Sequence, residues 1–289
     1  MKKSSIYLPE RLKASLASRA AATGRSEADL IRDAVQTMLA NGPRTGPQIE
    51  PAVPGRFVGI GVGPGEPDLL TTRAVLALRR ADRVLAPTTS VDSVGRAEAI
   101  VREAVPEVAI ERVSFAMNPS RSARDRSVQS AAAVVADYLN AGEEVAWVTL
   151  GDPLTYSTFS AIAEKVKKIR PSTDVAQVPG IMAFQALAAR TGTVIADERT
   201  RITIRTGLDG DELDDDLTDA SSTLVVYKGG RRLPEIAAQA LASGRNSTAV
   251  AGELLGMPGE RVGPLESFAP SPASYLATVI FPAARKGHR

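Results

Sequence analysis

The sequence predicts an α/β protein with a two-domain body, preceded by a small module of one strand and two helices over residues 1–41. Three observations point there. Hydrophobic residues make up 44% of the 289 positions and aromatic ones only 4%, which suits an Ala, Val and Leu core of α/β type. The β-branched and aromatic run Val145 to Leu150 stops at Gly151-Asp152-Pro153, as a buried strand does at the sheet edge where open α/β folds place their ligands. From residue 42 to 55, Pro and Gly recur without periodicity, which reads as a linker.

The residue inventory removes several chemistries. There is no cysteine, and the one histidine is His288 in the Arg285–Arg289 tail. Thiolate nucleophiles, Cys or His metal clusters and His-based triads are therefore excluded, and no metal is expected. Any general base must be a carboxylate, a Tyr, a Lys or water. No run approaches the ~18 apolar residues of a membrane span, and the chain begins Lys2-Lys3-Ser4-Ser5 without an apolar leader, so a cytoplasmic protein is expected. The net charge of +2 is uneven. Residues 1–49 carry 8 basic and 4 acidic side chains, a net of +4, and the remainder is −2.

In chain order, Ser4 to Leu8 alternates as a half-buried strand should, with Ile6 and Leu8 on one face and Lys3, Ser5 and Tyr7 on the other. Leu12, Leu16 and Ala20 mark a helix, and Gly24 can supply its left-handed cap. Ser26, with Asp29 three residues on, caps a second helix whose apolar face carries Leu30, Ile31, Val35, Met38 and Leu39. One strand and two short helices cannot bury enough surface alone, and pairing two copies would solve that. Residues 2–40 resemble the ribbon-helix-helix DNA-binding family on their Ile-Tyr-Leu-Pro and Gly-Arg-Ser-Glu-Ala-Asp-Leu-Ile-Arg stretches. The resemblance implies a homodimer on double-stranded DNA. Lys3, Ser5 and Tyr7 would face base edges, and Arg25 and Ser26 would hold a phosphate.

Phe57 to Gly61 reads as a buried strand entering the loop Gly61-Val62-Gly63-Pro64-Gly65-Glu66-Pro67, with a hydroxyl or carboxylate of Asp68 to Thr72 capping a helix that carries Ala74, Val75 and Leu78. A dinucleotide fingerprint fits poorly, because two prolines remove amides that a pyrophosphate would use. No Gly-Lys-Ser/Thr follows for a Walker loop. Arg83 to Ala86 is a short strand. Residues 88–126 form a long polar segment in which Arg96, Arg121, Arg124 and Arg126 are candidate carboxylate binders. Val128, Ala132, Val135 and Leu139 mark a helix before the strand into Gly151, and a helix start is expected to put the hydroxyls of Tyr156, Ser157 and Thr158 within one turn. Strands over Ile202–Thr206, Thr223–Tyr227, Thr248–Ala251 and Leu276–Phe281, with a helix over Ile236–Leu241, alternate through the second domain. Asp209 to Asp219 is an acidic loop expected to lie away from any anionic substrate.

Three loops in order, Gly61 to Pro67, Gly151-Asp152-Pro153 and Val178-Pro179-Gly180-Ile181, resemble those of the tetrapyrrole (corrin and porphyrin) methyltransferases. These are two-domain α/β enzymes that use S-adenosylmethionine without a Rossmann-type site. The resemblance covers about Phe57 to Pro282 and divides the body at 56–181 and 182–284, with a tail at 285–289. Leu-Gly-Asp-Pro followed by Tyr156-Ser157-Thr158-Phe159 is most similar to the precorrin-2 or cobalt-factor II C-20 methyltransferases, whereas Gln185–Arg190 with Arg201–Gly207 resembles precorrin-6A synthase. The resemblance implies a cofactor held by Pro64, Leu150, Gly151, Asp152 and Thr155, with Ile181, Met182, Ala183 and Tyr227 or Lys228 on the other side. It further implies a tetrapyrrole substrate near Gly65, Ser157, Thr158, Arg96 and Arg121. Asp152, Tyr156 or a substrate carboxylate would take the proton. Family members usually carry Ser or Thr after Pro-Gly-Ile, where this chain has Met182-Ala183. The alternative to an enzyme is a transcription regulator whose body senses the cofactor or a tetrapyrrole.

Overall fold

A computed structural model describes residues 24–40, 55–116, 121–208, 213–268 and 270–284, together with Lys13, Leu16, Ala17 and Ala20. The chain divides into two compact units, Met1–Glu50 and Pro51–Arg289. In the first unit, helix α1 (Glu27–Ala40) starts as its sequence predicts, with the Asp29 N–H donating to Ser26 Oγ at 3.1 Å. Gly24 adopts φ +63°, and the next amide, Arg25 N–H, reaches back to the Ala20 carbonyl at 3.2 Å. Lys3, Ser5 and Tyr7 lie outside the described residues, so the expected strand does too.

The first lobe of the second unit comprises β1 (Arg56–Gly61), α2 (Thr72–Arg80), β2 (Arg83–Thr88), α3 (Arg96–Ala104), β3 (Ile110–Ser114), α4 (Arg121–Asn140), β4 (Val145–Thr149), α5 (Phe159–Ile169) and β5 (Asp174–Val178). The strands form one sheet of order β3-β2-β4-β1-β5 with parallel pairing throughout. Successive residues of β1 feed opposite faces. Phe57 packs with Trp147, Leu139 and Phe159 under α4 and α5, while Val58 and Ile60 pack with Leu78 and Ile100 under α2 and α3. Burial of a side chain such as Phe159 contributes roughly 2 kcal/mol. Gly59 makes room for that ring, because a Cβ there would sit 2.7 Å from it. The expected cap of α2 is Thr71, whose Oγ1 accepts from Ala74 N–H at 3.1 Å.

The second lobe comprises α6 (Ala183–Thr191), β6 (Arg201–Thr206), α7 (Asp214–Thr218), β7 (Ser222–Tyr227), α8 (Leu233–Ala242), β8 (Val250–Glu253), β9 (Arg261–Pro264) and β10 (Thr278–Phe281). Its sheet has the order β6-β7-β10-β8-β9. Only β6 and β7 run parallel, and β10 lies antiparallel between β7 and β8. Leu224, Val226, Val279 and Phe281 face α7 and α8. Val225, Tyr227 and Ile280 face α6 together with Leu187, Leu255 and Met182.

Three expectations need correction. Residues 88–126 are not one polar segment. They contain α3 and β3, with Glu98 fully buried between Arg102 and Arg112 at 2.7 and 2.8 Å. The second lobe does not simply alternate strand and helix, since β8, β9 and β10 follow one another with no α-helix between them. The helix after the Gly-Asp-Pro turn begins at Phe159, because Asp152 closes a turn by accepting from Leu154 N–H at 2.9 Å and Tyr156 is left-handed at φ +49°. No helix among the described residues is long and apolar enough to cross a membrane.

Candidate functional site

The loops after β4, β1 and β5 leave the carboxyl ends of three adjacent parallel strands, where open α/β sheets collect ligand-binding loops. Glycines let them touch. Gly151 N–H donates to the Gly63 carbonyl at 2.8 Å, and Gly63 and Gly151 form an antiparallel bridge. A Cβ on Gly61 would fall 2.6 Å from the Gly180 nitrogen, so no other residue fits between these strands. Asp152 extends the junction, accepting from Gly180 N–H on one oxygen at 3.2 Å and from Leu154 N–H on the other.

A cavity opens on this junction. From the first lobe it is walled by Pro64, Leu150, Gly151, Asp152, Thr155 and Tyr156. From the second it is walled by Met182, Ala183, Tyr227 and Lys228, and also by Leu255, Leu276, Ala277 and Thr278. Gly151 has φ +64° with nothing within 4 Å of a Cβ position, so its missing side chain leaves space for a ligand against the backbone. Tyr156 ties the lobes across the cavity. Its hydroxyl donates to the Ile204 carbonyl and its own carbonyl accepts from Lys228 Nζ, each at 2.8 Å. Among the described residues, the three non-glycine residues with positive φ, Tyr156, Lys228 and Leu254, all lie in or beside the cavity wall. Such strain collects where the surroundings fix an arrangement the backbone would not choose.

Burial and the nearby Arg124 charge pull the Lys228 pKa below that of an ordinary lysine. Burial pushes the Tyr227 hydroxyl well above the usual range, so it stays protonated, and it accepts from Phe184 N–H at 3.2 Å. Outside the cavity, Arg190 joins Glu66 of the first lobe at 2.9 Å to Glu260 of the second at 2.6 Å.

Nine of the expected cofactor residues thus line one space, and Ile181 is half-buried beside it. Of the residues expected near substrate, Gly65, Ser157, Thr158 and Arg96 do not line this cavity. Gly65 is pressed against the Leu255-Gly256 backbone, where a Cβ would sit 3.0 Å from the Gly256 carbonyl carbon, so it is a contact between lobes. Ser157 Oγ accepts from Phe159 N–H at 3.1 Å and meets Thr149 Oγ1 at 3.2 Å, and Thr158 is the N-cap position of α5. Arg96 is exposed at the start of α3 and does not line the cavity, and Arg121 is the first residue of α4. Arg124 instead acts electrostatically on Lys228 and Tyr275. Sequence reasoning missed Leu255, Leu276, Ala277 and Thr278. The one available signal was a threonine opening an otherwise apolar strand. Among the described residues, no group of three or more acidic or His side chains could hold a metal ion.

The model of the Tetrapyrrole (Corrin/Porphyrin) Methylases matches residues 56–269. The chain belongs to this family. Tetrapyrrole methylases take their methyl group from S-adenosylmethionine, and this methylase is a methyltransferase of that kind. A Precorrin-2 C(20)-methyltransferase of Sinorhizobium sp is 30% identical over 79% of this chain and 95% of its own length. A Cobalt-precorrin-2 C(20)-methyltransferase of Salmonella typhimurium is 29% identical over 52% of this chain and 62% of its own length. The fold is shared with a uroporphyrin-III C-methyltransferase of Thermus thermophilus complexed with S-adenosylhomocysteine, at TM-score 0.54 and 22% identity over 78% of this chain and 96% of that one. The cavity fits the cofactor: a largely apolar wall and a bare glycine backbone leave room for a sulfonium, and the Asp152 carboxylate in that wall is already engaged by two backbone amides.

Proposed function

We propose that this methylase transfers a methyl group to C-20 of a cobalamin-pathway tetrapyrrole, precorrin-2 or cobalt-factor II. The observation that carries this reading is the Sinorhizobium relative, matched over nearly its whole length. When bound, S-adenosylmethionine supplies an electrophilic methyl on a sulfonium. Pro64, Leu150, Gly151, Thr155, Met182 and Ala183 hold it by shape, with Tyr227 closing the floor. Transfer to a ring carbon is then mostly alignment, which the junction of the three loops supplies.

Asp152 and Tyr156 keep that alignment. Both oxygens of Asp152 accept backbone amides and the Tyr156 proton is donated to Ile204, so a substrate carboxylate is favoured over either as the acceptor of the C-20 proton. Lys228 in the cavity wall and Arg124, near enough to act on it electrostatically, suit a polycarboxylate substrate. Incubation with precorrin-2 and methyl-labelled S-adenosylmethionine is expected to place one labelled methyl in the tetrapyrrole. Cofactor binding without transfer to either precorrin-2 or cobalt-factor II overturns the C-20 reading and favours a sensor.

We further propose that residues 1–41 form a ribbon-helix-helix-like module that pairs two copies and contacts double-stranded DNA. Support comes from the net charge of +3 over residues 1–41, with 7 basic against 4 acidic side chains, and from the Ser26-capped helix. Arg25 is paired with Asp33 at 3.1 Å, but both side chains are exposed, so the pair costs little to open for a phosphate. A mobility shift of the full chain on double-stranded DNA is expected to weaken steeply between low and moderate salt. No shift at low salt ends the DNA reading.

A further inference from the structure

Thr278 carries a further inference. It is 1% exposed and its Oγ1 is buried without a hydrogen-bond partner, yet the residue lines the cavity. The register shows which way it points. Thr278 pairs with Tyr227 on one side and Gly252 on the other, and alternation along β10 puts its side chain on the same face as Ile280. That face carries Tyr227, Leu255 and Met182, the side from which the cavity is walled. The opposite face, with Val279 and Phe281, is closed by α7 and α8.

A hydroxyl taken out of water without a partner is destabilising. A valine at this position would fill the same space and suit a strand at least as well, so the oxygen is explained by something that occupies the cavity. We propose that the Thr278 hydroxyl binds a polar group of S-adenosylmethionine and is a recognition residue of the site, supplying from β10 a hydroxyl contact of the kind that Met182-Ala183 cannot make. The proposal rests on the cavity being the cofactor site. It assigns Thr278 a binding role, with no part in proton transfer.

The test is calorimetric titration with S-adenosylhomocysteine, paired with thermal melts of the ligand-free protein, on wild type, Thr278→Val and Thr278→Ser. Thr278→Val is expected to weaken binding about tenfold while leaving the ligand-free melting temperature unchanged or about 2–4 °C higher, because a stranded polar atom has been removed. Thr278→Ser is expected to bind within a few-fold of wild type. Equal affinity of wild type and Thr278→Val overturns the proposal, as does a valine variant that binds weakly because its ligand-free form has itself melted earlier. Wild-type protein that binds no S-adenosylhomocysteine overturns the cavity as cofactor site, and the role of Thr278 falls with it.

Discussion

Gly180→Ala is expected to destabilise the methylase by about 3 kcal/mol or more, a large share of the ~5–15 kcal/mol that holds a domain folded. Gly180 is not among the positive-φ glycines, so an alanine is locally permitted and the penalty comes from contact. Its Cβ would sit 2.8 and 2.9 Å from the Gly61 carbonyl carbon and Cα, and inside the contact distance of the Gly151 carbonyl. All three atoms are backbone, fixed by the β1, β4 and β5 ladders, so nothing flexible can yield. The junction of the loops must open, and the Asp152 bond to Gly180 N–H opens with it. Gly151→Ala should behave differently. Nothing lies within 4 Å of that Cβ, so the fold pays only the left-handed backbone term, about 1–2 kcal/mol. The new methyl, however, enters the cavity, and affinity for S-adenosylhomocysteine should fall by about ten- to hundredfold. Thermal melts and calorimetry on the two variants separate the cases. A Gly180→Ala protein that melts within two degrees of wild type would refute the account of the junction.

The junction was legible in the sequence because its signals are local. A β-branched run ending in Gly-Asp-Pro announces a buried strand and the loop it feeds, and Ser26 with Asp29 announces the start of α1. The order of three such loops then identified most of the cavity wall. What was not legible depends on partners distant in the chain. Strands β3, β5 and β9 are short and half-exposed, with burial that follows no simple alternation. The insertion of β10 between β7 and β8 is decided by pairing across 26 to 57 residues, which leaves no periodic mark. Thr278 was hidden for the same reason, as its meaning lies in the strands on either side. At Gly65 the sequence shows that a glycine is needed and does not show that the backbone approaching it is that of Leu255 and Gly256. Tyr156 read as helical because its left-handed backbone is set by contacts to Ile204 and Lys228 on the other lobe.

The second large effect is expected far from the cavity. Arg245 is 6% exposed, and burial pulls its pKa below the usual value, yet no carboxylate forms an ion pair with it among the described residues. Its guanidinium donates instead to five carbonyls, those of Asp216 at 3.2 Å, Asp219 at 3.0 Å, Ser222 at 2.9 Å, Phe281 at 2.8 Å and Pro282 at 3.1 Å. These belong to the end of α7, the start of β7 and the end of β10, where helix and strand ends leave acceptors without a regular partner. Arg245→Met keeps much of the volume and apolar stem but strands these oxygens, at a cost of about 3–5 kcal/mol, or roughly 6–20 °C in melting temperature. Ser222 and Phe281 are the far ends of the strands whose near ends, Tyr227 and Thr278, wall the cavity about 10–17 Å away. The arginine therefore fixes the frame and does not touch the site. At 10 °C, where the variant remains folded, its affinity for S-adenosylhomocysteine should stay within a few-fold of wild type. A large loss of affinity there would mean that β7 and β10 transmit disorder along their length, and that the cavity is less rigid than its glycine junction implies.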